Sequence, residues 1–348
     1  MEASHTTVLR PLLRNVRKVV ITAHLNPDGD AVAGLLALCT SLRLARWEVQ
    51  PILPSPFPSG YRFLSGWESV AVYSSDTVES PEGARARNAL MAAEAIFCLD
   101  ASDVGRLGAV YAHHASKFET TPVINVDHHP TNTRYGSANL VDPSAAAVCE
   151  MLTLIMEQED LPINEEVAFD LLVGIVADTL NFRTPATTAR TMRAAAGLME
   201  RGASLSQIAE RVFNTRSPRT LRLWGRVLSR ARVEDGLVWA DITSEMLDEC
   251  QATLEDADHL VDFIAGVPDA RAAFLFSEQQ GKVRVSMRTS GDLDAAALAR
   301  SFGGGGHVRA AGCTVEGSMD EVQARLMSEA RRRLAAAAET SGRQNGSS

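Results

Sequence analysis

Four short runs in the first half of the chain, KVVITAH (18–24), WEVQPIL (47–53), AIFCLD (95–100) and PVINVD (122–127), are almost continuously apolar. A strand wetted on one face alternates apolar and polar residues, whereas a run without that alternation is buried on both faces. Between the first two runs, DAVAGLLALCTSLRLAR (30–46) reads as a helix, and SAAAVCEMLTLIMEQ (144–158) and EEVAFDLLVGIVADT (165–179) read as two more. Such strand–helix alternation dictates a parallel sheet with helices on both faces. The pattern changes near residue 200. RGASLSQIAERVFNTRSPRTLRLWGRVL (201–228) is helical and Arg-rich, with Pro218 as a break. Beyond it, LVWADI (237–242), RAAFLFS (271–277) and KVRVSMR (282–288) read as strands, the last two joined through EQQG as a hairpin, with helices expected over 293–302 and 319–338. The expected class is therefore α/β in two domains. Residues 1–195 form a parallel sheet covered on both faces, and 196–228 a helical linker. Residues 229–336 form a smaller α/β domain with a mixed sheet, and 337–348 a small, polar, disordered tail.

The 348 residues suffice for two hydrophobic cores. A net charge of −9 argues against non-specific coating of duplex DNA, so a polyanion must be met by a local cationic site or a metal. The five cysteines (39, 98, 149, 250, 313) are scattered and contain no CxxC. They support neither a disulfide framework nor a zinc knuckle and fit a reducing compartment. No apolar run approaches the roughly 20 residues that span a bilayer. A cytoplasmic protein without membrane contact is expected.

The chemistry gathers where the strands end. In an open parallel sheet, ligands bind at the C-terminal edge. TAHLNPDGDAVA brings His24, Asp28 and Asp30 onto one tight loop shaped by Pro27 and Gly29. Two carboxylates so close repel each other unless a cation lies between them. A plainer reading makes Asp30 the N-cap of a helix starting at Ala31, which leaves His24 and Asp28 unexplained. FCLDASDVGRLG ends a strand in Asp100, a position that is often a simple turn. NVDHHPTN places Asp127, His128 and His129 side by side, and adjacent residues at a strand end point to opposite faces. LLVGIVADTLNF spends a position of an apolar helix on Asp178, a cost that calls for a partner. Carboxylate and imidazole without thiolate suit Mn²⁺, Mg²⁺ or Co²⁺. Four carboxylates exceed what one ion needs and fit two ions that share a bridging ligand.

HLNPDGDAVAG, LDASDVGRLG, VDHHPTN and GIVADTLNFR, in this order, resemble the four motifs of the DHH phosphoesterase superfamily. FGGGGHVRAAG (302–312) resembles the glycine-rich motif of its DHH-associated domain, so the likeness spans about residues 15–335. The length is similar to that of the short-oligonucleotide members, and the additional OB-like domain expected of a RecJ-type exonuclease is missing. The resemblance implies an active site in the cleft between the two domains. It implies that His24 and Asp28 bind one metal, that Asp30, His128 and Asp178 bind the other, and that Asp100 bridges them. Asp127 then orients its neighbours, and His129 faces the scissile phosphate. Ser286, Arg288, Gly304, Gly305, Gly306 and His307 would form a substrate pocket in the second domain. Phe182-Arg183 matches the family, but the usual Ser-Asn-Thr that follows is replaced by Thr184-Pro185-Ala186-Thr187, which leaves the contacts of Arg183 open.

The implied activity is two-metal hydrolysis, most simply with Mn²⁺, of short single-stranded RNA (nanoRNA) to nucleoside 5′-monophosphates. Removal of the 3′-phosphate from 3′-phosphoadenosine 5′-phosphate (pAp) accompanies it. Hydrolysis of linear or cyclic dinucleotides such as pApA would use the same site. A metal-free nucleotide sensor is the alternative of another class, and the intact ligand set argues against it. The resemblance leaves a homodimer open.

Overall fold

The computed structural model describes residues 15–345 except 215, 216, 280 and 292, without the side chains of 214 and 337–345. The chain divides into two compact units, Met1–Thr215 and Arg216–Ser348. In the first unit, six strands run β1 (Lys18–Ala23), β2 (Glu48–Leu53), β3 (Ala71–Val72), β4 (Ala95–Leu99), β5 (Val123–Asp127) and β6 (Ala138–Val141). They lie in the order β3-β2-β1-β4-β5-β6 with every neighbouring pair parallel. The chain winds outward from β1 to β3, returns to β4 on the other side of β1, and winds outward again. That reversal opens a crevice at the C-terminal ends of β1 and β4.

The apolar runs are continuous because the sheet has a core on each face. Val19, Ile21 and Ala23 of β1 enter one core, with helices α1 (Gly29–Leu44), α3 (Val148–Gln158), α4 (Glu165–Asp178) and α5 (Ala189–Glu200). Val20 enters the other, beneath α2 (Pro81–Ala92). The short strands β3 and β6, of 2 and 4 residues, carry too few positions to show a period and were not expected from the sequence.

The second unit is built on β7 (Arg232–Glu234), β8 (Leu237–Ile242), β9 (Ala272–Gln279), β10 (Lys282–Thr289), β11 (Gly305–Gly306) and β12 (Ala310–Glu316). The order is β11-β12-β10-β9-β8-β7, and only β8 and β9 are parallel, so the sheet is mixed. The expected hairpin is present, with Gln279 opposite Lys282. Helix α6 (Pro218–Leu228) covers one face, where Val238, Ala240, Ala273 and Leu275 are buried. On the other face α7 (Ala295–Arg300) and α8 (Met319–Asn345) pack over Phe274, Phe276, Val285 and Met287. Helix α8 runs to Asn345, past the expected start of a disordered tail at 337. The Ala335–Ala338 run is a strong helix former and carries the helix beyond Leu334, the last buried residue among the described side chains. Residues 346–348 of that expected tail lie outside the described residues. No helix among the described residues is long and apolar enough to cross a membrane.

Candidate metal centre

The strand register builds this centre. Ala23 pairs with Leu99 and Leu99 with Val126, so the next residues, His24, Asp100 and Asp127, emerge in one row at the crevice. His24 is buried, and its Nδ1 lies 2.8 Å from Leu25 O. His128 is also buried, with Nδ1 3.2 Å from Ala145 O. A carbonyl oxygen only accepts, so both Nδ1 atoms carry protons and both Nε2 atoms face the cluster, the tautomer a metal ligand needs.

Asp100 lies between them. His24 Nε2 is 3.5 Å from Asp100 Oδ2, and His128 Nε2 is 3.6 Å from Asp100 Oδ1. His128 Nε2 is also 3.6 Å from Asp178 Oδ2, and His24 Nε2 is 4.0 Å from Asp28 Oδ1. These separations exceed hydrogen-bond distance. They approach the roughly 3.0–3.4 Å between two ligands on one divalent ion. His24, Asp28 and Asp100 form one compact donor group, Asp30, Asp100 and His128 a second, and both use Asp100. Asp100 is 2% exposed, yet its Oδ1 accepts no hydrogen bond. A buried carboxylate oxygen left without a donor costs about 1–3 kcal/mol, which a cation would recover. Asp100 also holds a left-handed backbone (φ 56°), uncommon outside glycine, while its N–H continues the β4–β5 pairing to Val126 O at 2.9 Å. The donor set fits divalent ions.

The loop roles differ from the plain capping reading. Asp28 is the N-cap of α1 and accepts from Ala31 N at 3.1 Å, not Asp30. Asp30 is buried and braces another helix: its carboxylate accepts from Val148 N and Cys149 N at the start of α3. Gly174 of α4 permits this, because a Cβ there would come within 2.6 Å of Asp30 Oδ1 and 2.2 Å of Cys149 Sγ.

His129 and Asp127 form a separate arm. His129 Nδ1 donates to Asp127 Oδ1 at 2.8 Å and lies 3.3 Å from Asp100 Oδ1. Asp127 is fully buried, and its Oδ2 accepts from Asn132 Nδ2 at 2.5 Å. Asn132 in turn accepts from Asn125 Nδ2 (2.9 Å) and Arg134 N (2.7 Å). The sequence reading missed this amide network, although Asn125 and Asn132 bracket the NVDHHPTN stretch.

The electrostatics follow from this crowding. Burial disfavours charge on every member. His128 rises to about 9 despite burial, because Asp100, Asp178 and Asp30 face it. His129 rises to about 10 against the same penalty, through Asp100 and Asp127, and His24 rises through Asp100 and Asp28. Burial alone would push Asp100 up, but the imidazoles of His129 and His24 hold it well below the usual carboxylate range. Asp30 goes up to about 6 through burial and the neighbouring Asp100. Asp178 is pushed well above its ordinary range by burial, against the pull of His128, with Asp30 and Asp28 adding repulsion.

Arg183 is exposed, and its Nε donates to Leu180 O at 2.8 Å. It follows three consecutive left-handed residues, Leu180, Asn181 and Phe182 (φ 48°, 60° and 63°), which Thr179 separates from Asp178. The buried Thr179 hydroxyl pins this turn, donating to Ile175 O and accepting from Phe182 N. In the second unit, Ser286 and Arg288 share one face of β10, with Gly312 and Ala310 opposite them. Arg288 is engaged in a bidentate ion pair, Nε to Asp262 Oδ1 at 2.6 Å and Nη2 to Oδ2 at 3.3 Å. A Cβ on Gly304 would lie 2.2 Å from Gly312 O, so the fold demands glycine there. Gly305 faces open space, and His307 closes a turn through mutual backbone hydrogen bonds with Ala310. Gly306 pairs with Ala311 in β12 at φ 138°.

Residues 18–175 match the model of the DHH family, N-terminal domain, and residues 242–336 that of the DHHA1 domain. The bifunctional oligoribonuclease and PAP phosphatase NrnA of Thermus thermophilus is 32% identical over 321 residues, covering 91% of this chain and 90% of that protein. The chain belongs to the DHH family of phosphoesterases. NrnA of Bacillus subtilis is 30% identical over 197 residues, which are 56% of this DHH chain and 62% of its relative. An exopolyphosphatase-related protein from Bacteroides fragilis shares the fold with a TM-score of 0.86 at 23% identity, covering 94% of this chain and 96% of that one.

Proposed function

We propose that this DHH-family phosphoesterase hydrolyses short oligoribonucleotides to nucleoside 5′-monophosphates and removes the 3′-phosphate of pAp, with two Mn²⁺ ions. The observation that carries the proposal is Asp100: buried, lacking a hydrogen bond on Oδ1, and 3.5–3.6 Å from the Nε2 atoms of His24 and His128. His24 and Asp28 would hold one ion, Asp30, His128 and Asp178 the other, and Asp100 both. Bound ions of this kind supply Lewis acidity toward phosphoryl oxygens and acidify water to a pKa of about 7.

The remaining work belongs to the chain. Asp127 holds the Nδ1–H of His129, so Nε2 is the nitrogen assigned to the scissile phosphate and to protonation of the leaving 3′-oxygen. The Asn132 amide keeps Asp127 in place. Arg288 is oriented by Asp262, and two of its five N–H groups satisfy that carboxylate while a third meets Met287 O. Two donors therefore serve a substrate phosphate, beside Ser286 and the Gly304–Gly306 backbone. His307 is assigned to the same pocket, and Arg183 to the strand leaving the metal centre. Two relatives bear the name oligoribonuclease and PAP phosphatase, which supports this substrate class.

The test is Mn²⁺-dependent release of phosphate from pAp and of AMP from pApA by the wild type and Asp100→Ala. Loss of the shared ligand should abolish turnover by several orders of magnitude. Wild-type rates in the variant would remove the proposal's basis.

A further inference from the structure

We propose that Arg106 is a further catalytic residue of this site, its guanidinium donating to a non-bridging oxygen of the phosphoryl group that is transferred. The inference rests on the two-ion hydrolase reading above. The crevice at the C-terminal ends of β1 and β4 lies between the two loops that follow them, where an open parallel sheet takes its ligands. Those loops carry His24 and Asp28 on one side and Asp100 on the other, a single compact donor group. One hydrogen bond ties the loops together: Leu25 N donates to Arg106 O at 2.7 Å. Gly108 lets them close up, because a Cβ there would lie 2.9 Å from Leu25 Cδ2, and its φ of 54° suits glycine. The backbone of Arg106 is thus fixed against the residue that follows His24.

The side chain holds nothing in place. Asp103, the nearest acid in sequence, caps the turn Val104–Leu107 instead. Its Oδ1 accepts from Gly105 N (2.8 Å) and Arg106 N (3.3 Å), and its Oδ2 from the Ser102 hydroxyl (3.4 Å). The guanidinium is exposed and forms no hydrogen bond or ion pair among the described residues. Its charge nevertheless reaches the centre: burial, and then Arg106, oppose the rise that Asp100 and Asp28 impose on His24. The side chain of Asp28 is 57% exposed and forms the wet end of that donor group. Charge balance supplies the reason for a cation here. Asp28, Asp30, Asp100 and Asp178, once ionised, carry four negative charges, which two divalent ions cancel. A phosphate entering that neutral centre brings negative charge that nothing in the ligand set offsets. A guanidinium meets phosphate oxygens with paired, charge-assisted hydrogen bonds.

The experiment compares the wild type with Arg106→Met and Arg106→Lys, all Mn²⁺-loaded. It measures kcat and KM on pApA, AMP affinity by calorimetry, Mn²⁺ affinity and Tm. In Arg106→Met kcat should fall about 100-fold, as for one lost oxyanion donor, and AMP affinity about 10-fold. The backbone contact to Leu25 survives the substitution, so Tm should not move. A cation beside His24 repels a divalent ion, so Mn²⁺ should bind Arg106→Met at least as tightly as the wild type. Arg106→Lys keeps the charge without the fork and should recover part of the AMP affinity. Wild-type kcat and AMP affinity in Arg106→Met overturn the proposal. So does a fall in Mn²⁺ affinity or Tm that accounts for the lost rate, because the arginine would then support the ligands. Weaker AMP binding at wild-type kcat overturns the catalytic role by placing the contact off the transferred group. A wild type that leaves pApA intact, but whose AMP affinity still falls in Arg106→Met, keeps the phosphate contact and rejects the hydrolase reading. A wild type that neither hydrolyses pApA nor binds AMP rejects both.

Discussion

Asp127→Asn separates orientation of His129 from metal binding. The native carboxylate is an acceptor on both sides, toward the N–H and Nδ1–H of His129 and toward Asn132 Nδ2. An asparagine has one acceptor. If its oxygen keeps His129, its amide meets the amide of Asn132, donor against donor. Asn132 cannot turn over to help, because its Oδ1 already accepts from Asn125 and from Arg134 N. The loss is one charge-assisted hydrogen bond, about 1.5–3 kcal/mol, and one buried donor without a partner, about 1–3 kcal/mol. The sum of about 2.5–6 kcal/mol corresponds to a Tm lower by roughly 5–25 °C for a unit of this size. Since Asp127 is assigned no metal, the variant should keep its ions, while kcat falls about 10- to 100-fold as His129 loses its anchor. Thermal unfolding, ICP-MS and pAp turnover on one preparation check all three. Unchanged Tm and kcat, or loss of the ions, would refute the orienting role.

His128→Ala should lower metal affinity and be partly rescued by excess Mn²⁺, whereas His129→Ala should keep its ions and stay slow at every Mn²⁺ concentration; the reverse pattern would exchange their roles. Metal binding should release protons at pH 7, because His24 is raised and His128 stands at about 9 before an ion arrives. Calorimetry in buffers of different ionisation enthalpy reads this, and heats independent of buffer would contradict it. For the same reason the chelated protein is stabilised fully below about pH 6.5, the unfolded histidine value. It should lose that stabilisation as pH rises through about 9 and about 10, the folded values of His128 and His129, seen as a falling Tm. Arg288→Ala takes the bidentate partner from Asp262 and leaves it facing His259 at 3.7 Å, so its Tm should drop; adding Asp262→Ala should restore Tm but not pApA cleavage, and recovery of both would make Arg288 purely structural.

The two sheets, and the gathering of acids and imidazoles at the strand ends, were readable because burial on both faces leaves continuous apolar runs, and because those residues follow the runs directly. What stayed hidden depends on contacts between distant segments. Asp28 and Asp30 look interchangeable on one loop, and only the packing of α3 shows that Asp30 serves Val148 and Cys149 while Asp28 caps α1. Arg288 reads as a free cation because Asp262, its partner, lies 26 residues away. Tyr61, whose ring abuts Gly29 at the start of α1, sits in a Pro-rich loop with no period, and nothing in the sequence ties the two together. Strands β3, β6 and β11 are too short to leave a pattern.

Two-ion hydrolysis of short RNA can be tested in a single assay. The Mn²⁺-loaded protein is incubated with 5′-labelled RNAs and DNAs of graded length, together with pAp and pApA. Phosphate should be released from pAp and 5′-monophosphates stepwise from the shortest RNAs, both lost in Asp100→Ala and in chelator. A fully loaded protein that leaves every one of these substrates intact would contradict it.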